Sequence, residues 1–242
     1  MITAITPTGD RPEALALCRR WMAAQTLKPD QWLIIDDGKI PANIDFGESY
    51  IQYVRREPRA DDPQHTLVVN VECALSYVLG DRIFFIEDDE YYAPEYIKTM
   101  NRQLDDYQLV GIGASKYYHL PTGGYVRHNN MNHASLAQTA FRAEMLPLVR
   151  QCAAQGMEKY WLDDRIWRAA CGTEEGKKKT YIFRDDEHSL YCGMKGLPGR
   201  VGIGVGHKEK TYQHHDNEAR AQLKEWVPRD WSVYLDLLRA AA

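Results

Sequence analysis

Residues 83–90, Ile-Phe-Phe-Ile-Glu-Asp-Asp-Glu, run an apolar strand straight into a row of acids. In an open α/β sheet, ligands bind at the carboxyl ends of the strands. Carboxylates crowded there oppose one another's ionisation unless something positive lies among them. The occupant that suits them is a hard divalent cation, which takes oxygen ligands and shares them with substrate phosphates. Glu87, Asp88 and Asp89 are therefore the first candidates for a site. A solvated acidic turn would read the same locally, so the other strand ends must decide.

Three of them carry charge or turn chemistry. After a first strand at 2–6 comes Thr6-Pro7-Thr8-Gly9-Asp10-Arg11, a helix start whose N–H groups can hold an anion and whose Arg11 can pair with phosphate. A second strand, 32–35, ends at Asp36-Asp37-Gly38, where a carboxylate can accept from a base N–H or a ribose hydroxyl. A third, 50–54, ends at Arg55-Arg56. Farther on, Trp161-Leu162-Asp163-Asp164-Arg165 places two acids in a first helical turn, a favourable position in itself. A glycine-rich stretch, 199–206, leads into His207, Lys208 and Lys210; its glycines permit close backbone approach.

The elements that must position these residues follow from periodicity. Helix 13–26 carries Leu15, Cys18, Trp21 and Met22 on one stripe, with Asp10 expected as its N-cap. Strands alternate with helices through a helix at 70–78 and a strand at 82–86, which implies βαβ units and a mainly parallel sheet. From about residue 108 the pattern changes. Strands are expected at 109–115 and 135–141, separated by a polar loop at 119–133, then helices at about 143–155 and 161–171. The tail at about 217–240 reads as helix broken at Pro228. We read one domain, 1–242, with a nucleotide-binding half at about 1–107 and an acceptor half of mixed strands and helices at about 108–242.

The 242 residues suffice for one large α/β core, and 44% hydrophobic with 26% charged residues is ordinary for a folded enzyme. No basic leader and no apolar run of about 20 residues is present, so neither export nor membrane insertion is expected and the location expected is cytoplasmic. Five scattered cysteines without a C-x-x-C pair read as reduced residues. Net charge is −4, yet 177–224 holds ten Lys/Arg against six Asp/Glu, +4 on a chain whose remainder carries −8. Such an asymmetry suits an anionic ligand, a nucleotide diphosphate or a polyanion.

Taken in order, strand, Thr-Pro-Thr turn, helix, strand ending in Asp-Asp-Gly, strand, helix, and apolar strand into Glu-Asp-Asp, residues 1–172 resemble the family 2 type of glycosyltransferase with the GT-A fold. The spacing Glu87-x-Asp89 looks like that family's acid-x-acid motif. The resemblance implies a Rossmann-like nucleotide-sugar half, with Thr6, Pro7, Thr8, Arg11, Asp36, Asp37 and Arg55 at the nucleotide. It implies that Glu87 and Asp88 face ribose and diphosphate, and that Asp89 binds Mn²⁺ or Mg²⁺. His207 stands where many such enzymes supply a further metal ligand, with Lys208 and Lys210 in reach of the diphosphate. The acid pair matches the family's Glu-Asp, whose Asp is the base; here it is Asp-Asp, with Asp164 preferred over Asp163.

The activity so implied is inverting transfer of a sugar from a nucleoside-diphosphate sugar, UDP-linked by expectation, to an acceptor hydroxyl. The acceptor stays open between a hydroxymethylated DNA base and a saccharide or lipid-linked substrate. Two rivals differ in what they require. A nucleotidyltransferase would need a glycine-rich, basic loop directly after the first strand, where this chain has one Gly and one Arg. A non-catalytic carbohydrate- or nucleic-acid-binding module could use the 15 Tyr and 6 Trp, but would have no need of acids at every expected active-site station.

Overall fold

The structure is a computed structural model. It describes the chain except residues 44–46, 156–160, 186–188, 203–204, 209–210, 218 and 241–242, and the side chains of 205 and 240. Lys210, expected at the diphosphate, lies outside the described residues. The chain runs β1 (Ile2–Thr8), α1 (Pro12–Ala23), β2 (Gln31–Asp36), β3 (Ile51–Arg55), α2 (Leu67–Leu75), β4 (Arg82–Phe85), β5 (Tyr91–Tyr92) and α3 (Tyr96–Gln103). It continues through β6 (Leu109–Gly113), β7 (Lys116–His119), β8 (Gly124–Arg127), β9 (Thr139–Arg142), α4 (Leu146–Ala154), α5 (Leu162–Ala170) and α6 (Glu174–Lys178). The last elements are β10 (Thr180–Arg184), β11 (Tyr191–Lys195), β12 (His214–His215), α7 (Ala221–Trp226) and α8 (Trp231–Ala240).

Seven strands form one sheet in the order β10-β6-β9-β4-β1-β2-β3. The pairs β4–β1, β1–β2, β2–β3 and β10–β6 are parallel, and β9 enters antiparallel between β4 and β6. This is the mainly parallel α/β sheet that the alternation of elements requires, and it draws strands from both sides of residue 107. Because side chains alternate across a strand, each central strand feeds two cores. Ile2, Ala4, Trp32, Ile34, Phe84 and Ile86 join one with α1, α3 and the second sheet. Ile5, Leu33, Ile35, Ile83 and Phe85 join the other with α2, α4 and α5. Burial on both faces is why these strands read as unbroken apolar runs.

The second sheet, β12-β8-β7-β11-β5, has no counterpart among the sequence-based expectations. The segment 119–133, expected to be a polar loop, opens as a hairpin in which His119 pairs with Gly124 and Tyr117 with Val126. Buried Tyr118 anchors it, while its other face is only half-buried, which blunts the apolar signal. The expected strand at 135–141 begins only at Thr139, after a 3₁₀ turn at Leu136–Gln138. Asp10 is not an N-cap. It adopts a left-handed conformation, φ 55°, and its Oδ1 instead accepts from the Lys39 N–H at 2.7 Å. The acidic row Glu87–Glu90 occupies the short link between β4 of the first sheet and β5 of the second, so both sheets converge on it. Among the described residues no helix is long and apolar enough to cross a membrane.

Candidate functional site

A cavity of about 470 Å³ opens at the carboxyl ends of β1 and β4. Its walls include Arg11, Glu87, Asp89, Glu90, Asp163, Lys195, Arg200 and His207. Three of the four consecutive acids face it and Asp88 does not. Asp88 is fully buried, accepts from the Thr8 hydroxyl at 2.6 Å, and lies 2.6 Å from the Arg11 guanidinium. Arg11 reaches Asp89 as well, at 2.9 Å. The residue expected at a phosphate therefore neutralises the acid row from below. Glu90 is held by the Met194 N–H at 2.7 Å and by the ammonium of Lys195.

Oxygens of Glu87, Asp89 and Glu90 can lie within 4.8 Å of one another, and Asp89 Oδ1 is buried without a hydrogen-bond partner. A buried carboxylate oxygen left unpaired is costly. Such an oxygen, in a group of three acids with ligand atoms this close, fits a hard cation. Burial pushes the Glu87 carboxyl up, and the negative charges of Glu90 and Asp89 push it further. Asp89 is also penalised by burial, but Lys195 and Arg11 outweigh that and hold it low, hence ionised. Burial, reinforced by the charge of Lys195, lowers His207 to about 4. Its imidazole is then neutral near pH 7, the form that ligates metal. His207 stands in a 3₁₀ turn, Val205–His207. A Cβ on Gly202 would sit 2.3 Å from its Nε2, so a glycine is needed for the backbone to pass this ring.

The acid pair opens α5, whose N-cap is Trp161. Docking of that helix decides which acid faces the cavity. Residues four apart share a helix face. Asp163 precedes Trp167, which is buried and donates from Nε1 to Thr139 Oγ1 of β9 at 3.1 Å. That indole seats only because Gly111 of β6 lacks a Cβ, which would come within 2.7 Å of Cζ2. Asp164 precedes exposed Arg168 and accepts from its Nε at 2.8 Å. Asp163 therefore lines the cavity and Asp164 does not, the reverse of the order preferred from sequence. Burial raises the Asp163 carboxyl above its ordinary range.

The remaining expected residues support the walls. Thr6 Oγ1 accepts from Trp32 Nε1 at 2.8 Å, and Pro7 is buried in β1 beside Ile35. Asp36 is saturated by the N–H groups of Gly38 and Ala42, both at 2.8 Å, and by the Tyr53 hydroxyl at 2.6 Å, so it shapes its own loop instead of the cavity wall. Arg55 bonds Glu57 at 3.1 Å and the Asp36 carbonyl at 3.3 Å. Asp37 takes Arg56 on one oxygen and Arg200 on the other, each at 2.8 Å. Lys208 is exposed and outside the cavity lining. Sequence reasoning missed Lys195, Arg200, His128 and His133, which all line the cavity. The one available signal was Lys195 at the end of the apolar run Leu190–Met194.

Against this geometry stand the comparisons. The family model described as glycosyl transferase family 2 matches residues 3–164. No curated protein matches the chain. Among solved structures, S. aureus TarS 1–349 in complex with UDP is similar with a TM-score of 0.57 at 12% identity, over 80% of this chain and 60% of that one. S. aureus TarS 1–349 in complex with UDP-GlcNAc gives 0.55 at 14%, over 96% of this chain and 72% of that one. S. aureus TarS gives 0.56 at 14%, over 96% of this chain, which spans 43% of its length. These likenesses establish a shared GT-A fold. The family match runs from β1, through the acid row, to the acid pair on α5: this chain belongs to glycosyl transferase family 2.

Proposed function

We propose that this protein transfers a sugar from a nucleoside-diphosphate sugar to an acceptor hydroxyl, with inversion at the anomeric carbon and with a divalent cation. The observation that carries the reading is one cavity lined both by Glu87 and Asp89, with an unpartnered buried oxygen, and by Asp163. Asp89 would hold Mn²⁺ or Mg²⁺, with Glu87 and His207 beside it. When bound, such an ion supplies Lewis-acid stabilisation of charge on the leaving diphosphate. Arg200, on the cavity wall, orients the diphosphate. The donor proposed is a UDP-sugar, the ligand class held by TarS in the complexes above.

Asp163 is the base in this reading. It takes the proton of the acceptor hydroxyl as that oxygen attacks the anomeric carbon from the face opposite the diphosphate. Its raised pKa brings it nearer the operating pH, where general bases are most effective. The test is UDP-sugar turnover followed by mass spectrometry, with chelator and with Mn²⁺ restored. Turnover undiminished in chelator overturns the metal, and no turnover of any nucleotide sugar overturns the activity.

A hydroxymethylated DNA base is the acceptor suggested by the +4 of residues 177–224. Much of that charge is locally offset, since Lys177 bonds Glu174 and Lys179 bonds Glu175, both at 2.6 Å. Lys195 and Arg200 are paired inside the site. A DNA acceptor requires binding that weakens with salt at a slope near −0.9 per phosphate neutralised. A hydroxymethylated duplex that takes no sugar removes it.

A further inference from the structure

Trp161 is 45% exposed, whereas Trp21, Trp32 and Trp167 are 1% exposed and Trp226 is 5%. An indole left in water forgoes the burial that the others obtain, unless a ligand covers it. Trp161 lines the cavity, two residues before Asp163, and its extended backbone (φ −62°, ψ 154°) carries it off the start of α5. The same cavity is also lined by uncharged hydrogen-bonding groups, including Asn130 and Ser135.

We propose that the acceptor is a neutral pyranose whose C–H face stacks on the Trp161 indole while one of its hydroxyls meets Asp163. The inference rests on the transferase reading above and names its substrate class. An amphipathic ring suits a site with one aromatic face and surrounding polar groups. A polyanion does not suit it. Asp89 presents an ionised carboxylate, and among the described cations of the same cavity Arg11 is committed to Asp88 and Asp89 and Lys195 to Glu90, which leaves Arg200 for the donor's diphosphate and none for a second polyanion. In the step so defined, the acceptor oxygen forms a bond to the anomeric carbon. The bond from that carbon to the diphosphate oxygen breaks with its electron pair remaining on the diphosphate, and the hydroxyl proton passes to Asp163.

The experiment uses the whole chain, UDP-sugars as donors, and a panel of methyl pyranosides, glycerol and a hydroxymethylated DNA duplex as acceptors. Wild-type protein is expected to glycosylate pyranosides. Trp161→Ala should raise the pyranoside KM on the order of tenfold with a smaller change in kcat, and Trp161→Phe should recover most of it. Saturation-transfer NMR with the same pyranosides reads binding without turnover. It should show saturation of the pyranoside ring protons by wild-type protein and none by Trp161→Ala, while UDP binding persists in both. An unchanged KM and an unchanged NMR signal in Trp161→Ala overturn the proposal, as does transfer to the duplex or glycerol but to no pyranoside. If the wild type turns over no nucleotide sugar, the transferase reading fails instead. Pyranoside binding that depends on Trp161 would then still support the stacking site.

Discussion

Arg200 donates from Nη2 to Asp37 Oδ1 at 2.8 Å, binding the glycine-rich segment after β11 to the loop after β2 across 163 residues of sequence. The other oxygen of Asp37 takes Arg56, whose remaining nitrogens bond Asp62 at 2.7 Å and Asn70 at 2.6 Å. Asp37 is thus a buried junction that ties Arg200 of the cavity wall to Arg56 at the end of β3.

The two ends of that bond differ in expected cost. Arg200 is about a third exposed, so Arg200→Ala should lower stability by only about 0.5–1 kcal/mol while raising donor KM several-fold. Asp37→Ala removes the acid partner of Arg200 and one of the two acids on buried Arg56, which keeps Asp62, and should cost about 1–3 kcal/mol. Denaturant midpoints and donor KM for the pair check this; equal losses of stability would contradict it.

Metal dependence is read at Asp89. Asp89→Ala should cut transfer on the order of 10²-fold or more. Its fold should persist, because Arg11 retains Asp88. His207→Ala should raise the Mn²⁺ concentration for half activity before it alters kcat. Superimposable metal titrations of His207→Ala and wild type would remove His207 from the metal site.

With Asp163 as the proposed base, its replacement is expected to change activity and stability with opposite signs. Asp163→Asn should slow the chemical step by about 10²–10⁴-fold. Asp164→Asn, which loses one helix-surface pair with Arg168, should cost about 0.3–0.5 kcal/mol and little rate. Burial holds the Asp163 carboxyl above its ordinary 3.8, so the folded state binds more protons than the unfolded one between that value and the raised one. Stability contributed by this group therefore falls as pH rises through that window, and is absent above it. Asp163→Asn should accordingly gain thermal stability over wild type at pH 7 and lose that advantage below pH 3.8. The acid limb of the kcat profile should lie above the ordinary carboxyl range. A Tm for Asp163→Asn at or below wild type at neutral pH would contradict the assignment.

The Lys195–Glu90 pair supplies a double-mutant cycle. Both side chains are buried, 6% and 2% exposed as residues. Lys195→Met should cost about 3–5 kcal/mol, because it leaves Glu90 buried without its cation, and Glu90→Gln should cost less, because Lys195 keeps Asp89 nearby. The double variant should recover at least half of the summed loss, as partners in one network do not add. Additive losses would show that the two act separately.

The first sheet was legible in the sequence because its cause is local. Ile2, Ala4 and Ile5, then Trp32–Ile35 and Ile83–Ile86, are apolar on both faces, and the acids at 87–90 follow the last of these runs without interruption. Strand order along the chain then sufficed for the resemblance to family 2 glycosyltransferases. Tertiary structure decided what depends on docking. Asp163 and Asp164 differ by about 100° around one helix, and only the seating of Trp167 against β9 turns the first of them to the cavity. Asp36 and Asp37 are equally good strand-end acids by sequence. The partners that consume them, Tyr53, Arg56 and Arg200, lie 17, 19 and 163 residues away. The second sheet pairs β5 with β11 across about a hundred residues, carrying Lys195 to Glu90, and no local period records so distant a partner.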